Sequence, residues 1–240
     1  MSKRKLSINY VPLTNTFFML YTMLLFITVI PLLKYVFSSI LDIPFYVIEL
    51  VFILSIIGSI VNIPVFTMKR ERPIVAERIV MFMGVPWIVP EIEVREAKTI
   101  IAVNLGGCII PVSLSLYIIY KLIAIYGTAM LLTILIALIV NSLLIHSVSR
   151  PIKGVGIATP AIVPPLFTAM ITIFFLPPTL PAEVFFAFAY SIGTLGALIG
   201  ADLMNLHKIP ELGAPIASIG GAGTFDGIFL TGILSILFLI

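Results

Sequence analysis

The segment 127–148 decides the fold, because it reads GTAMLLTILIALIVNSLLIHSV and holds no Asp, Glu, Lys or Arg. About 20 apolar residues in an α-helix cross the ~30 Å hydrocarbon core of a bilayer. Over all 240 residues, 60% are hydrophobic, only 10% are charged, and the mean hydropathy is +1.22. Soluble domains have about 45–50% apolar and 25% charged residues. The composition therefore excludes an ordinary water-soluble fold.

Working outward from this segment, we predict an all-α integral membrane protein that forms a single domain over residues 1–240. About seven transmembrane helices are expected, at 16–38, 44–66, 100–121, 127–148, 161–180, 182–204 and 223–240. With seven spans, twelve of the 14 Lys and Arg lie on the side of the N-terminus. Such residues favour the cytosolic side. We therefore predict a multi-pass protein of the cell membrane, with the N-terminus in the cytosol and the C-terminus outside.

Two stretches between the predicted spans are not typical of membrane helices. Residues 67–98 carry six of the 14 Lys and Arg and five of the 11 Asp and Glu, and alternating Ile92 and Val94 after Gly84-Val-Pro86 predict a small cytosolic β-hairpin. The net charge of this insertion is near zero, so nucleic acid is not an expected partner. Residues 150–165 hold four prolines and two glycines, which predicts a re-entrant or extended segment.

Two aspartates are the candidate catalytic residues. Asp202 lies near the end of predicted span six and Asp226 near the start of span seven, within the glycine-rich region 182–240. Antiparallel spans joined by a short loop would bring both carboxyls to one depth, where an ionisable group usually faces a cavity or a partner. Asp226 could instead cap its helix, and Asp202 could instead form an ion pair with Lys208.

Other polar residues are expected at the same depth, around a cavity open to the cytosol. Asn62, Asn104 and Asn205 are the candidate substrate-binding side chains, with Asn141 and His146 near them. The stretch SIGGAGT at 218–224 predicts non-helical backbone, whose consecutive free N–H groups before span seven would suit a peptide or an anion. One histidine without clustered Cys or Glu gives no metal site, and no cofactor is predicted.

Two carboxyls that share a proton can hydrolyse an amide, because one takes a proton from water while the other protonates the carbonyl. The sequence Gly221-Ala-Gly223-Thr-Phe-Asp226-Gly resembles the Gly-x-Gly-Asp motif of intramembrane aspartyl proteases, the presenilin, signal peptide peptidase and prepilin peptidase class. Thr224 and Phe225 interrupt the motif, and Ala201 stands where tyrosine is often found. This resemblance implies Asp202 and Asp226 as the catalytic pair, and Gly221 and Gly223 as the backbone that lets a substrate strand approach and bind.

The segments GADL (200–203) and GGAGTFDGIFL (220–230) also resemble an uncharacterised family of archaeal and bacterial polytopic membrane proteins. That resemblance implies no activity. Three functions thus remain open: an aspartyl hydrolase acting on a membrane protein or peptide, a proton- or ion-coupled transporter with an Asp/Asn-lined cavity, and a non-catalytic membrane scaffold. The lipid bilayer is the expected partner in each, and the oligomeric state stays open.

Overall fold

The computed structural model describes residues 7–8, 44–153, 156–223 and 226–240. Five α-helices lie in these ranges, at Phe45–Gly58 (α1), Ile110–Val148 (α2), Val163–Phe175 (α3), Ala182–Ala197 (α4) and Gly227–Leu237 (α5). Two π-helical turns extend them, Leu105–Ile109 before α2 and Leu198–Leu203 after α4, and a 3₁₀ helix follows at Leu206–Leu212. Predicted span 16–38 lies outside the described residues.

A four-stranded sheet joins distant parts of the chain. Its order is β1 (Ser7–Ile8), β2 (Val61–Phe82), β3 (Val85–Asn104) and β6 (Ile216–Ile219). β1 and β2, like β2 and β3, pair antiparallel, whereas β6 runs parallel to β3 with Ile100 opposite Ile216. β3 and β6 therefore end at the same edge and deliver the following segments, 105–109 and 220–223, side by side.

β2 and β3 form one long β-hairpin. Met83 and Gly84 close it as a two-residue turn with φ of 52° and 80°, the left-handed pair that matches the twist of the strands. With 22 residues in β2 and about 3.3 Å per residue, the hairpin reaches roughly 70 Å. Buried residues such as Asn62, Ile101 and Asn104 lie at its base. The distal part, residues 75–94, is called the ribbon below.

α2 folds back on itself. Its backbone leaves the helical conformation at Gly127, where φ is 74° and ψ is −163°. Cys108 just before α2 and Ile145 near its end belong to the same buried cluster, although 37 residues of straight helix would separate them by about 55 Å. The element is therefore a helical hairpin with its turn at Gly127.

The remaining helices pack around this hairpin. A larger buried cluster contains Ile118 and Ile134 from the two arms of α2, Phe188 of α4 and Phe229 of α5. The smaller cluster, with Cys108 and Ile145, lies beside the base of the sheet and includes Ile101 and Ile219. The core thus has a helical part and a part where helices meet strands.

The prediction of an all-α protein with seven transmembrane helices is wrong. Within the described ranges, two helical stretches are long and apolar enough to cross a membrane, Leu105–Val148 and Ala182–Leu203. Predicted span 44–66 is only helical to Gly58 and then becomes β2, and span 100–121 begins inside β3. Both runs contain β-branched residues that suit strands as well as apolar helices, so hydropathy alone did not separate the two.

Two other predicted spans are too short. Prolines at 177, 178 and 181 follow α3, which has 13 residues, and α5 has 11. At 1.5 Å per residue these helices measure about 20 and 17 Å, less than the ~30 Å that hydrocarbon requires. The insertion predicted at 67–98 is also larger than expected, because its hairpin runs from Val61 to Asn104.

The Pro/Gly-rich segment 150–165 is extended before α3. Arg150–Ile152 (β4) pairs antiparallel with Gly156–Ala158 (β5), and α3 begins at Val163 with Pro164 and Pro165 in its first turn. Proline suits this turn because its missing N–H has no partner there in any helix. The segment therefore connects α2 to α3 along the surface near the 3₁₀ helix.

Candidate functional site

The candidate site is built around residues 218–223, called the loop below, which cover the end of β6 and the chain that follows it. Three elements place a titratable side chain near the loop. They are the π-turn Leu105–Ile109 with Cys108, the π-turn Leu198–Leu203 with Asp202, and the start of α5 with Asp226. π-turns inside helices are rare and occur frequently at functional sites. Because two of them lie next to one loop, this region is the candidate functional site.

Asp226 is the N-cap of α5. Its Oδ1 accepts the backbone N–H of Ile228 at 3.1 Å, and its Oδ2 accepts that of Ala222 at 3.3 Å. The carboxylate therefore ties the loop to the helix and lies at the positive end of the helix dipole. Burial raises the pKa of the Asp226 carboxyl, and the hydrogen bonds from Ile228 and Ala222 act to lower it.

Asp202 meets the same loop from the other side. Its carboxylate accepts the backbone N–H of Gly220 and lies within electrostatic reach of Asp226. Cys108 is near enough for both carboxylates to act on its thiol. The structure thus places the two predicted catalytic side chains near each other, with the loop backbone bonded to both. Lys208, the alternative partner of Asp202, donates to Asn205 Oδ1 at 2.9 Å.

Asn62 of β2 and Asn104 of β3 connect the loop to the sheet by hydrogen bonds. Asn62 Oδ1 accepts the hydroxyl of Ser218 at 2.5 Å and the amide of Asn104 at 3.1 Å. Asn104 Oδ1 accepts the N–H of Gly107 at 2.7 Å. Both asparagines are at most 1% exposed, so they fix the loop and the first π-turn relative to the sheet. Their predicted role in substrate binding stays a prediction.

Glycines allow the close approach of these segments. A Cβ on Gly107 would meet backbone atoms of Gly220 and Gly223, and one on Gly220 would meet Cys108 at 2.7 Å. Gly220 and Gly223 also have φ of 71° and 66°, a region that side chains other than glycine seldom adopt. Packing therefore requires glycine at 107, 220 and 223, and backbone conformation requires it at 220 and 223 as well.

The stretch 218–224 was predicted to offer free backbone N–H groups, and Gly221 and Gly223 were predicted to let a substrate strand approach. In the structure, Gly221 N–H donates to Ser218 O at 3.1 Å, and Gly223 N–H donates to Gly220 O at 2.9 Å. Those of Gly220 and Ala222 donate to the two aspartates. The loop therefore directs its donors to itself and to the carboxyl pair, and the binding role of these glycines stays a prediction.

The other predicted polar residues form two separate networks. Asn205 donates to Ala201 O at 2.9 Å and contacts His146 Nδ1 at 3.2 Å. Asn141 donates to Thr168 Oγ1 and Ile192 O, which joins α2 to α3 and α4. The expected single cluster of asparagines is thus divided: Asn62 and Asn104 contact the loop or the π-turn Leu105–Ile109, and Asn205 contacts the π-turn Leu198–Leu203.

Sequence reasoning missed Cys108 as a neighbour of the two aspartates. The signal available was the glycine pair in NLGGC, 104–108, which matches the glycines of the loop in allowing backbone contact. Among the residues that the structure describes, no group of three His, Cys, Asp or Glu side chains could hold a metal ion. The two neighbouring carboxyls could exchange protons with a bound molecule.

Comparison with protein families gives one match. Residues 56–238 match a family described as protein of unknown function, DUF1614. Comparisons with curated proteins and with solved structures gave no match. The matched range covers more than three quarters of the chain and includes the hairpin, both π-turns, the loop and the two aspartates. The expectation of an uncharacterised family is confirmed, and the chain belongs to the DUF1614 family.

Proposed function

We propose that this protein is a membrane-embedded aspartyl hydrolase that cleaves an amide bond in a membrane protein or peptide. The observation that carries the proposal is the meeting of Asp202 and Asp226 at one loop, within electrostatic reach of each other. Two carboxyls that are close together and partly buried hold one proton between them more easily than none. A general acid and a general base are then present in one site.

Hydrogen bonds and helix dipoles support different roles for the two carboxyls. Asp226 accepts two backbone N–H groups and caps α5, and both features favour its charged form. Asp202 lies at the C-terminal end of α4 and its π-turn, where the helix dipole opposes negative charge. The shared proton is therefore assigned to Asp202 in the resting site, and Asp226 is assigned as the base.

The proposed reaction needs only water and these two groups. Asp226 takes a proton from water, the water oxygen bonds to the carbonyl carbon, and Asp202 gives its proton to the carbonyl oxygen. Asp226 then gives its proton to the amide nitrogen as the C–N bond breaks, and Asp202 regains a proton from the collapsing diol. The products are a carboxylic acid and an amine, and the site returns to its starting state.

Apolar surfaces support a location in the bilayer. In the most apolar part of Leu105–Val148, only 17% of the helix is buried inside the protein. Exposed side chains such as Leu132, Ile136 and Ile139 lie on its outer face. The turn at Gly127 divides this stretch into two arms of about 21–22 residues, each near the ~30 Å of the hydrocarbon. With Ala182–Leu203, the chain would cross the membrane more than once.

The test is cleavage of a transmembrane model peptide by the full chain in lipid vesicles. Asp226→Asn keeps an N-cap acceptor but cannot act as a base, so cleavage should fall by at least about 10³-fold while the protein stays folded. Asp202→Asn should have the same effect. Glu211→Gln, the same change at an exposed carboxylate outside the site, should cleave like the wild type.

Cleavage that persists in Asp226→Asn would refute the hydrolase. Proton uptake by the vesicles that depends on both aspartates, without any cleavage, would instead favour the proton-coupled transporter. Wild-type protein that neither cleaves nor moves protons would leave the scaffold as the remaining function.

A further inference from the structure

Both faces of the ribbon carry exposed apolar side chains. Residues opposite each other in β2 and β3 share a face, so Arg78 and Glu91, which form an ion pair at 3.3 Å, belong to one face. The same face holds five apolar side chains that are 43–64% exposed: Val80, Phe82, Val85, Trp87 and Val89. The other face, called the apolar face below, carries six large apolar residues that are each at least 60% exposed: Val75, Ile79, Met81, Ile88, Ile92 and Val94.

A surface of this kind requires a cover. An isolated two-stranded hairpin is marginally stable in water and needs a packed face to persist. Contiguous apolar patches of several hundred Å² on a protein surface mark interaction sites. Six side chains of this size and exposure offer on the order of 700–800 Å², close to the ~800 Å² that each partner contributes to a standard interface.

We infer that the apolar face of the ribbon binds the same face of a second copy of this chain. The patch is large enough for a standard dimer, and stacking it on itself covers the apolar face of both copies at once, as a two-fold symmetric interface does. Two copies in one bilayer would project their ribbons in the same direction, so the two-fold axis would lie along the membrane normal. The inference does not depend on the activity of the carboxyl pair.

This symmetry sets which residues meet. A two-fold axis parallel to the ribbon places β2 of one copy over β3 of the other, so Ile79 lies over Ile88 and Val75 over Ile92 of the second copy. Glu77 lies over Pro90 of the second copy and not over another carboxylate, and in so narrow a sheet its side chain reaches water at the edge. The Arg78–Glu91 ion pair stays on the outer surface.

The first test measures the mass of the purified full chain in detergent by light scattering. Wild-type protein should be a dimer. Ile88→Lys places a charge on the apolar face and should give loss of the dimer. Val89→Lys places the same charge on the next residue, which is exposed on the opposite face, and should stay dimeric. A monomeric wild type, or equal behaviour of the two variants, would overturn the inference.

The second test is chemical cross-linking, which detects the orientation. Cys108 is the only native cysteine and is buried, so new cysteines can be placed in a Cys108→Ala background. Ile79→Cys should be cross-linked between copies by a short bis-maleimide in lipid vesicles, and Val80→Cys, on the opposite face, should not. Cross-linking of Val80→Cys alone, or of neither variant, would show that another surface or another partner covers the ribbon.

Discussion

Gly107 shows how tightly the backbone segments of the site pack. Its Cα faces the carbonyls of Gly220 and Gly223, and its N–H donates to Asn104. A Cβ added at Gly107 would clash with main-chain atoms, which cannot move aside as the end of a flexible side chain could. The contact between the first π-turn and the loop therefore depends on this one residue having no side chain.

We expect Gly107→Ala to separate the loop from the π-turn and to lower stability by about 1–3 kcal/mol or more, as overpacking of a buried site does. Thermal unfolding in detergent would measure the change. Gly227→Ala is the matched control, since a Cβ at Gly227 would meet nothing within 4 Å. Equal melting temperatures for Gly107→Ala and the wild type would contradict the packing described here.

At the residue scale, the sequence pointed to Asp202 and Asp226 because charged residues are costly in apolar surroundings and thus stand out. It also indicated Asn62 and Asn104, which do meet. The sequence could not show that Asn205 joins His146 instead, because both arrangements satisfy its amide equally well. Nor could it show that loop N–H groups bond to the aspartates, since this depends on the left-handed backbone at Gly220 and Gly223.

At the scale of elements, helices and strands compete for the same apolar residues. The runs VNIPVFT at 61–67 and TIIAVN at 99–104 are apolar enough to extend a membrane helix, but their β-branched residues also fit a sheet. Pairing between them, with Asn62 opposite Asn104, decides in favour of strands. The predicted hairpin was therefore too short by the residues that hydropathy assigned to spans two and three.

The reversal of α2 at Gly127 can be tested by a distance between its arms. Ser113 lies in the first arm and Leu144 in the second, and both are exposed. A straight helix would separate them by about 46 Å. Packed antiparallel arms, with axes 8–10 Å apart, would hold spin labels there within about 20 Å. Double electron–electron resonance spectroscopy on the doubly spin-labelled chain should give the short distance. A distance above about 40 Å would refute the helical hairpin.

At the scale of the whole molecule, the topology brings the site together. Asp202 follows α4 and Asp226 precedes α5, and the chain between them passes through the 3₁₀ helix and the parallel strand β6. β6 pairs with β3, which lies more than 100 residues earlier. Such a pairing between distant segments leaves little signal in local periodicity. The composition therefore indicated a membrane protein, but the parallel pairing of β6 with β3 next to the site was not predicted.

The central claim is that Asp202 and Asp226 share one proton, and infrared spectroscopy of the full chain in lipid vesicles tests it most directly. At neutral pH we expect the C=O band of one protonated carboxyl, lost in Asp202→Asn and shifted in Asp226→Asn, because the neighbouring group changes. Glu211→Gln should leave the band unchanged. A wild-type spectrum without a protonated carboxyl, or a band indifferent to Asp226→Asn, would contradict the shared proton.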